Sequence, residues 1–287
     1  MKFVSYNVQY GFGMDGRFDP ERIAKDIEGA DVIALQEITR DHPKNSHADL
    51  VERFAGLFPD HFHVYGAPCD VLLGIMVQNG RRIERRFQFG NMILSRWPIR
   101  ATRHLLLPRS YTTDQLNLQR GALEAVIDAP GGALRVYSTH LDHISPDERL
   151  EQILYLKARA LNFVAEGGAL TGGAEQGFPD PPQPADFLIM GDFNMEPESG
   201  EYVAMVGQRD RLYGRALRAN QPVDALEWLK VRTPETYTWA EPPGERQMKM
   251  HLDHCFVSSG LAPRLKSAWV DNEALGSDHF PLWVELE

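Results

Sequence analysis

Cysteine is scarce in this chain, with only Cys69 and Cys255 among 287 residues. Two thiols cannot form a disulfide scaffold, so the sequence fits a reducing compartment. No apolar run approaches the length of a bilayer-spanning helix. The chain opens Met-Lys-Phe-Val-Ser-Tyr-Asn, which already reads as a strand and not as an export signal. These absences lead to the expectation of a cytoplasmic protein without a membrane span. Basic residues are also in the minority: 30 Lys+Arg against 40 Asp+Glu leave a formal charge of −10. That balance opposes a long, tightly held polyanion such as duplex DNA, which binds to basic fields. It leaves room for a local cationic site and for acids gathered around a metal. No long-period repeat is visible. With 43% hydrophobic and 24% charged residues, the composition is that of a globular protein with a sizeable core.

Short apolar runs ending in polar residues recur along the chain. They are residues 3–6, 32–35, 91–94, 122–127, 134–137, 187–190, 255–257 and 282–284. Their length and β-branched content predict strands, several buried on both faces. Helices are expected between some of them. Asp19-Pro20 opens one with an N-cap and a proline at the first position. Ser145-Pro146-Asp147-Glu148 opens another as a capping box, running to about Val164, and a third spans Ala48 to Phe58. The Gly- and Pro-rich stretch at about 166–185 reads as a surface loop within one domain covering 1–287, because candidate site residues flank it on both sides.

The chemistry gathers at strand ends. Asn7 closes the first strand, Glu37 the second, and His140 the run Arg-Val-Tyr-Ser-Thr-His. Asp192 and Asn194 follow Phe-Leu-Ile-Met-Gly, Asp253 begins Asp-His-Cys-Phe-Val, and Asp278-His279 precede Phe-Pro-Leu-Trp-Val. Each has a bland alternative. Asn7 fits a turn, Glu37 an ion pair with Arg40, and Gly191-Asp192-Phe193-Asn194 an Asx turn. His140 and His254 suit satisfied strand histidines, and Asp278-His279 a loop entry. The joint pattern favours one rim of a sheet core, where loop-borne polar groups on a rigid scaffold make sites.

The ordered set Tyr6-Asn7-Val8, Leu35-Gln36-Glu37, Ser138-Thr139-His140-Leu141, Gly191-Asp192-Phe193-Asn194, Leu252-Asp253-His254 and Ser277-Asp278-His279 resembles the motif series of the endonuclease/exonuclease/phosphatase superfamily. Phe89 to Arg96 and Thr236-Tyr237-Thr238-Trp239 agree with it, and the likeness extends from residue 3 to 285. The resemblance implies the deoxyribonuclease-I-like fold, a four-layer α/β sandwich of two mixed sheets packed face to face with helices outside. It implies metal-dependent phosphoester cleavage with Mg²⁺ or Mn²⁺. Glu37 would be the principal metal ligand, with Asn7 beside it and Asp278 as a further metal or water ligand. Asp192 would orient or deprotonate the attacking water, and Asn194 would bond a phosphate oxygen. His140 and His279 would flank the phosphate, with Asp253 holding His279 in its productive, protonated form. One departure stands out. The family often has a basic residue two positions before the Asp253 equivalent and an aromatic just after it, whereas this chain has His251 and His254. Those imidazoles would either enlarge the metal site or invite zinc. A zinc-preferring binuclear phosphohydrolase competes only weakly, since no Gly-Asn-His segment follows Gly-Asp-Phe-Asn.

Several activities share that scaffold, so fold does not choose the substrate. Arg81, Arg82, Arg85 and Arg86 form either an anionic-substrate arm or a solvated hairpin balanced by Glu84. Arg120 either clamps a phosphate oxygen or pairs with Glu124, and Arg109 lies in the same loop region. Tyr237 and Trp239 either stack on substrate or pack. The expected partner is a small or lipid-like phosphate ester, with DNA cleavage and a non-catalytic binding module as alternatives. Oligomeric state is not legible.

Overall fold

The computed structural model describes residues 1–242 and 248–287. Two six-stranded mixed sheets form its centre. The first runs β13 (Leu265–Val270), β14 (Leu282–Leu286), β1 (Lys2–Asn7), β2 (Val32–Arg40), β4 (Arg81–Ser95), β3 (Phe62–Gln78). The second runs β5 (Ile99–Leu106), β6 (Gly121–Ile127), β7 (Leu134–His140), β8 (Phe187–Asp192), β12 (Asp253–Val257), β9 (Val223–Asp224). A small ribbon pairs β10 (Trp239–Ala240) with β11 (Lys249–Met250). The β1–β2 and β7–β8 pairs are parallel, the other pairs in the two six-stranded sheets antiparallel.

The period-two alternation of strands sets the layers. Phe3, Val32, Ala34 and Ile93 face Leu123, Val136, Leu188 and Cys255 between the sheets. Their neighbours Val4, Ile33, Leu35 and Met92 face outward, under α1 (Pro20–Asp26) and α2 (Leu50–Leu57), where Ile23 and Phe54 cover them. On the other side α3 (Pro146–Leu161) and α5 (Gly200–Val206) lay Ile153, Leu156 and Met205 against Tyr137, Ile189 and Phe256. The four-layer sandwich expected from sequence is therefore present.

The helix starts follow their caps. The side chains of Asp19, Asp49 and Ser145 accept from the backbone N–H three residues on. The third helix begins at Leu50, not Ala48. The long one breaks at Asn162, and α4 (Phe163–Glu166) follows it. Between α4 and β8, residues 167–186 form a mostly exposed connection containing one short helical turn. A last short helix, α6 (Ala225–Trp228), follows β9.

Three longer strands, β3, β5 and β13, escape the sequence reading, as do the two-residue β9, β10 and β11. β3 runs 17 residues and pairs with β4 through a turn at Asn79-Gly80, both at positive φ. β5 alternates exposed and half-buried residues at the edge of the second sheet. The arginine-rich segment is thus a hairpin: Arg85 bonds Asp41, and Arg86 bonds Asp70 and Glu84.

Gly191 makes the parallel β7–β8 approach feasible. A Cβ at this position would lie 1.9 Å from the Thr139 carbonyl oxygen. Gly191→Ala is expected to destabilise the protein by about 2–3 kcal/mol through forced strand separation, measured as a lower urea midpoint with an unchanged slope.

Candidate active site

Strand ends from both sheets meet at one rim. Register places His140 opposite Asp192 across β7–β8, and Asp192 opposite Asp253 across β8–β12. From the facing sheet, β1 delivers Asn7 and β2 delivers Glu37. Glu37 sits at φ 59, inside a shift of the β2–β4 register between Leu35 and Ile38. A non-glycine residue in the left-handed region is strained, and such bulges re-aim side chains beside sites. Here the bulge turns the Glu37 carboxylate to within 3.3 Å of the Asn7 amide nitrogen.

Asp192 is the hub. Its Oδ2 accepts from Asn7 Nδ2 at 2.9 Å and lies 3.3 Å from His140 Nε2 and 3.6 Å from His279 Nε2. Its Oδ1 accepts the Asn194 backbone N–H at 2.9 Å. The Asx turn offered as a bland reading is therefore real, and it fixes the hub carboxylate. Asn194 stands at φ 49, and its amide donates to the Leu141 carbonyl.

Behind His279, Asp253 Oδ2 contacts Nδ1 at 2.8 Å. Asp253 is itself anchored by Thr238, whose hydroxyl accepts the Leu252 and Asp253 backbone N–H groups. Burial by itself pushes the His279 imidazole down. The Asp253 and Asp192 carboxylates outweigh it and hold the pKa up at about 10. His140 goes the other way. Burial first, and the Arg120 charge second, hold it well below the usual histidine value. One imidazole is thus a cation and the other a neutral donor, a split set by environment.

Glu37 is pushed up to about 7, chiefly by burial and then by the Asp278 charge. Asp278 Oδ2 accepts from Gln9 Nε2 at 2.9 Å and Trp239 Nε1 at 3.1 Å. Trp239 therefore holds a site acid through its ring N–H. Tyr237 packs edge-on against Phe280 and lies under Lys249.

Arg120 is 4% exposed, and its Nε and Nη1 are buried without a partner. Glu124 is not its partner: Arg103 takes that carboxylate with contacts of 2.7 and 2.8 Å. Arg120 instead contacts His143 Nδ1 and lies over the Phe89 ring. Arg109 is exposed and bonds the Asn117 carbonyl. Arg40 pairs with Asp49 and leaves Glu37 to the site.

His251 and His254 do not join the cluster. Their rings stack on each other at 4.6 Å, and His254 also stacks on Phe256. His254 Nε2 meets the Met195 carbonyl, and its Nδ1 lies 3.5 Å from Asp224. Adjacent strand residues point to opposite faces, so Asp253 faces the rim while His254 faces α5. Neither imidazole enlarges the metal site.

Two groupings have the spacing or chemistry for a divalent cation. Ligand atoms of Asp192, Asp253 and His279 lie within 4.8 Å of one another. A protonated His279 cannot ligate, so a cation there competes with a proton. Glu37 and Asp278 offer only oxygen, and the charge of Asp278, which raises Glu37, is what a hard cation offsets.

Sequence reasoning missed Gln9, Thr238, His143 and Phe89 as site components. Phe89 and Thr238 lay inside quoted motifs, but nothing in the sequence distinguishes them from packing residues. Gln9 donates to Asp278 from a turn in which Gln9 and Tyr10 take positive φ, a local conformation the sequence does not announce.

A two-sheet α/β sandwich with an acid–imidazole cluster at one rim defines the deoxyribonuclease-I-like class of phosphoesterases. The chain belongs to the Endonuclease/Exonuclease/phosphatase family, whose model matches residues 4–279. It is similar to an endonuclease/exonuclease/phosphatase from Beutenbergia cavernae, at 20% identity and TM-score 0.66, over 99% of this chain and 70% of that one. It is also similar to a mannosyl-6-phosphatase from Bacteroides thetaiotaomicron, at 19% identity and TM-score 0.62, over 100% and 99% of the two chains. A D. rerio TDP2 complexed with single strand DNA product matches at 17% identity and TM-score 0.61, over 99% and 97%. No curated protein matches the chain.

Proposed function

We propose that the chain is one catalytic domain that hydrolyses phosphoesters by in-line attack of an activated water on a small or lipid-like organic phosphate. The observation that carries this is the single oxygen, Asp192 Oδ2, shared by Asn7, His140 and His279, with Asp253 behind His279. Asp192 takes the proton of the attacking water, because its other oxygen is pinned by the Asn194 N–H and cannot swing away. The charged His279 and the neutral donor His140 stabilise charge as it builds on the phosphoryl oxygens. The free N–H of the Asn194 amide and the unpartnered Arg120 Nη1 bind those oxygens in the ground state.

Glu37 and Asp278, with Asn7 beside Glu37, fit Mg²⁺ or Mn²⁺: both donors are carboxylates, and the Asp278 charge raises the Glu37 carboxyl. Such a cation supplies Lewis-acid neutralisation of the phosphate. Glu37 must lose its proton to bind it. Apparent Mg²⁺ affinity is therefore expected to be flat above Glu37's value of about 7 and to fall about tenfold per pH unit below it. Titrating activity with Mg²⁺ at fixed pH values checks this.

The test of the whole reading is a panel of phosphomonoesters, phosphodiesters, single-stranded and abasic DNA, and choline- or glycerol-phosphodiester lipids, with Mg²⁺ or Mn²⁺ and again with EDTA. Turnover that survives EDTA sinks it. No turnover of any member would favour the non-catalytic binding module, against which the completeness of the acid–imidazole set argues. DNA cleavage is the second catalytic reading. The −10 charge opposes a long duplex, while a short single-stranded end makes fewer demands.

A further inference from the structure

The β3–β4 hairpin carries apolar side chains in water. Val77 is 73% exposed, Ile75 58%, Met76 52% and Val71 51%, with Leu72 and Ile83 also exposed. Isolated exposed apolar residues are ordinary, but a contiguous set marks an interaction surface.

We propose that this hairpin is an interfacial anchor that seats in an anionic lipid surface and presents the site to amphiphilic phosphoesters there. The lipid contact stands on the hairpin itself; only the substrate class rests on the hydrolase reading.

The register decides between a lipid and a protein partner. Cross-strand partners share a face. Val71 opposes Phe87 and Met76 opposes Ile83, which places this set on one face. Ile75 opposes Glu84 and Val77 opposes Arg82, on the other face. A flat protein partner dries one face of a hairpin and leaves the second wet. A fluid apolar medium covers both.

Charge points the same way. Residues 70–88 hold Arg81, Arg82, Arg85 and Arg86 against Asp70 and Glu84, a local balance of +2 in a chain of −10. Arg85 and Arg86 are paired, whereas Arg81 and Arg82, beside the turn, make no ion pair among the described residues. Long arginine stems reach lipid phosphates while neighbouring apolar side chains sit at the acyl boundary. Depth is limited by the backbone. β3 is the edge of its sheet, and unpaired edge N–H and C=O groups keep it out of the hydrocarbon centre.

The arm also leads to the chemistry. Phe87 and Phe89 alternate onto one face of β4, and Ile83 lies on that face beyond the Asp41-paired Arg85. The Phe87 and Phe89 rings lie 6.5 Å apart, and Phe89 lies 5.9 Å from His140. The Phe87–Phe89 pair thus leads from the base of the hairpin to the catalytic rim, suited to the alkyl portion of a substrate whose phosphate reaches Asp192.

The experiment is flotation of the full chain with phosphatidylcholine vesicles, with and without phosphatidylserine. The wild type is expected to float with serine-containing vesicles and to be released by salt. An Ile75→Ser, Met76→Ser, Val77→Ser triple variant is expected to lose at least about tenfold in partitioning. Arg81→Gln with Arg82→Gln should lose the preference for anionic vesicles. All variants should retain the wild-type unfolding midpoint and rate on a soluble chromogenic phosphodiester. A wild type that stays in solution, or a triple variant that floats equally well, overturns the proposal. So does a wild-type dimer that the triple variant dissociates without any vesicle binding, since that assigns the arm to a second copy. Flotation without turnover of any member of the phosphoester panel would instead sink the hydrolase reading and leave the anchor standing.

Discussion

Asp192→Asn is expected to lower kcat on a model phosphodiester by about 10³–10⁴, the larger part of what a positioned general base contributes. Asparagine preserves the shape and can still meet the Asn194 N–H, but it cannot accept the water proton. It also turns an amide toward His140 and His279, where a shared acceptor stood at 3.3 and 3.6 Å. The KM should change far less than kcat, because the loss falls on the transition state. Far-UV circular dichroism and the urea midpoint separate this from misfolding. A variant with kcat within a few-fold of wild type would remove Asp192 from the mechanism.

Asp253→Asn should be nearly as damaging, for a different reason. Asp253 acts through His279, whose Nδ1 it contacts, and so is a positioning residue. The expected signature is in the pH profile. In the wild type, His279 stays protonated until pH approaches about 10, so its contribution is present below that value and lost as pH rises through it. Without the Asp253 charge, the burial that lowers the imidazole is opposed mainly by Asp192. The alkaline limb should then move down by more than about one pH unit, with a loss of about 10²–10³ in kcat at pH 8. Rates measured from pH 6 to 10 at saturating Mg²⁺ test this. A uniform loss at every pH, with the limb in place, would show a structural role alone.

Much of the site was legible because strand ends are local features. Apolar runs of four to seven residues closed by Asn7, His140 and Asp192 announce themselves without any partner in view. The capping residues Asp19 and Ser145 likewise start their helices by contacts within one turn. Other parts were silent. β3 is interrupted by glycine and proline and leaves its apolar residues in water, so no alternation of buried and exposed positions marks it. The fate of Arg120 depended on Arg103 reaching Glu124 first, a choice between residues on neighbouring strands. His251 and His254 looked like metal ligands by type, yet the pleat turns His254 away from Asp253.

The amino-acid sequence on its own determined the periodicities that make two sheets and their covering helices. It also determined the inventory of acids, amides and imidazoles, and the −10 charge that disfavours a long polyanion. The tertiary structure alone decided which of those groups share a proton. Asn7 and Asp192 stand 185 residues apart and meet at 2.9 Å. That contact requires two sheets to pack with their rims aligned and a glycine to let β7 and β8 close, and a bulge in β2 brings Glu37 to the same amide. Side-chain alternation follows from neighbouring backbone dihedrals, whereas register and rim alignment follow from burial shared by the whole core. The opposite protonation states of His140 and His279 come from the same source, since burial and charge neighbours are properties of the folded chain.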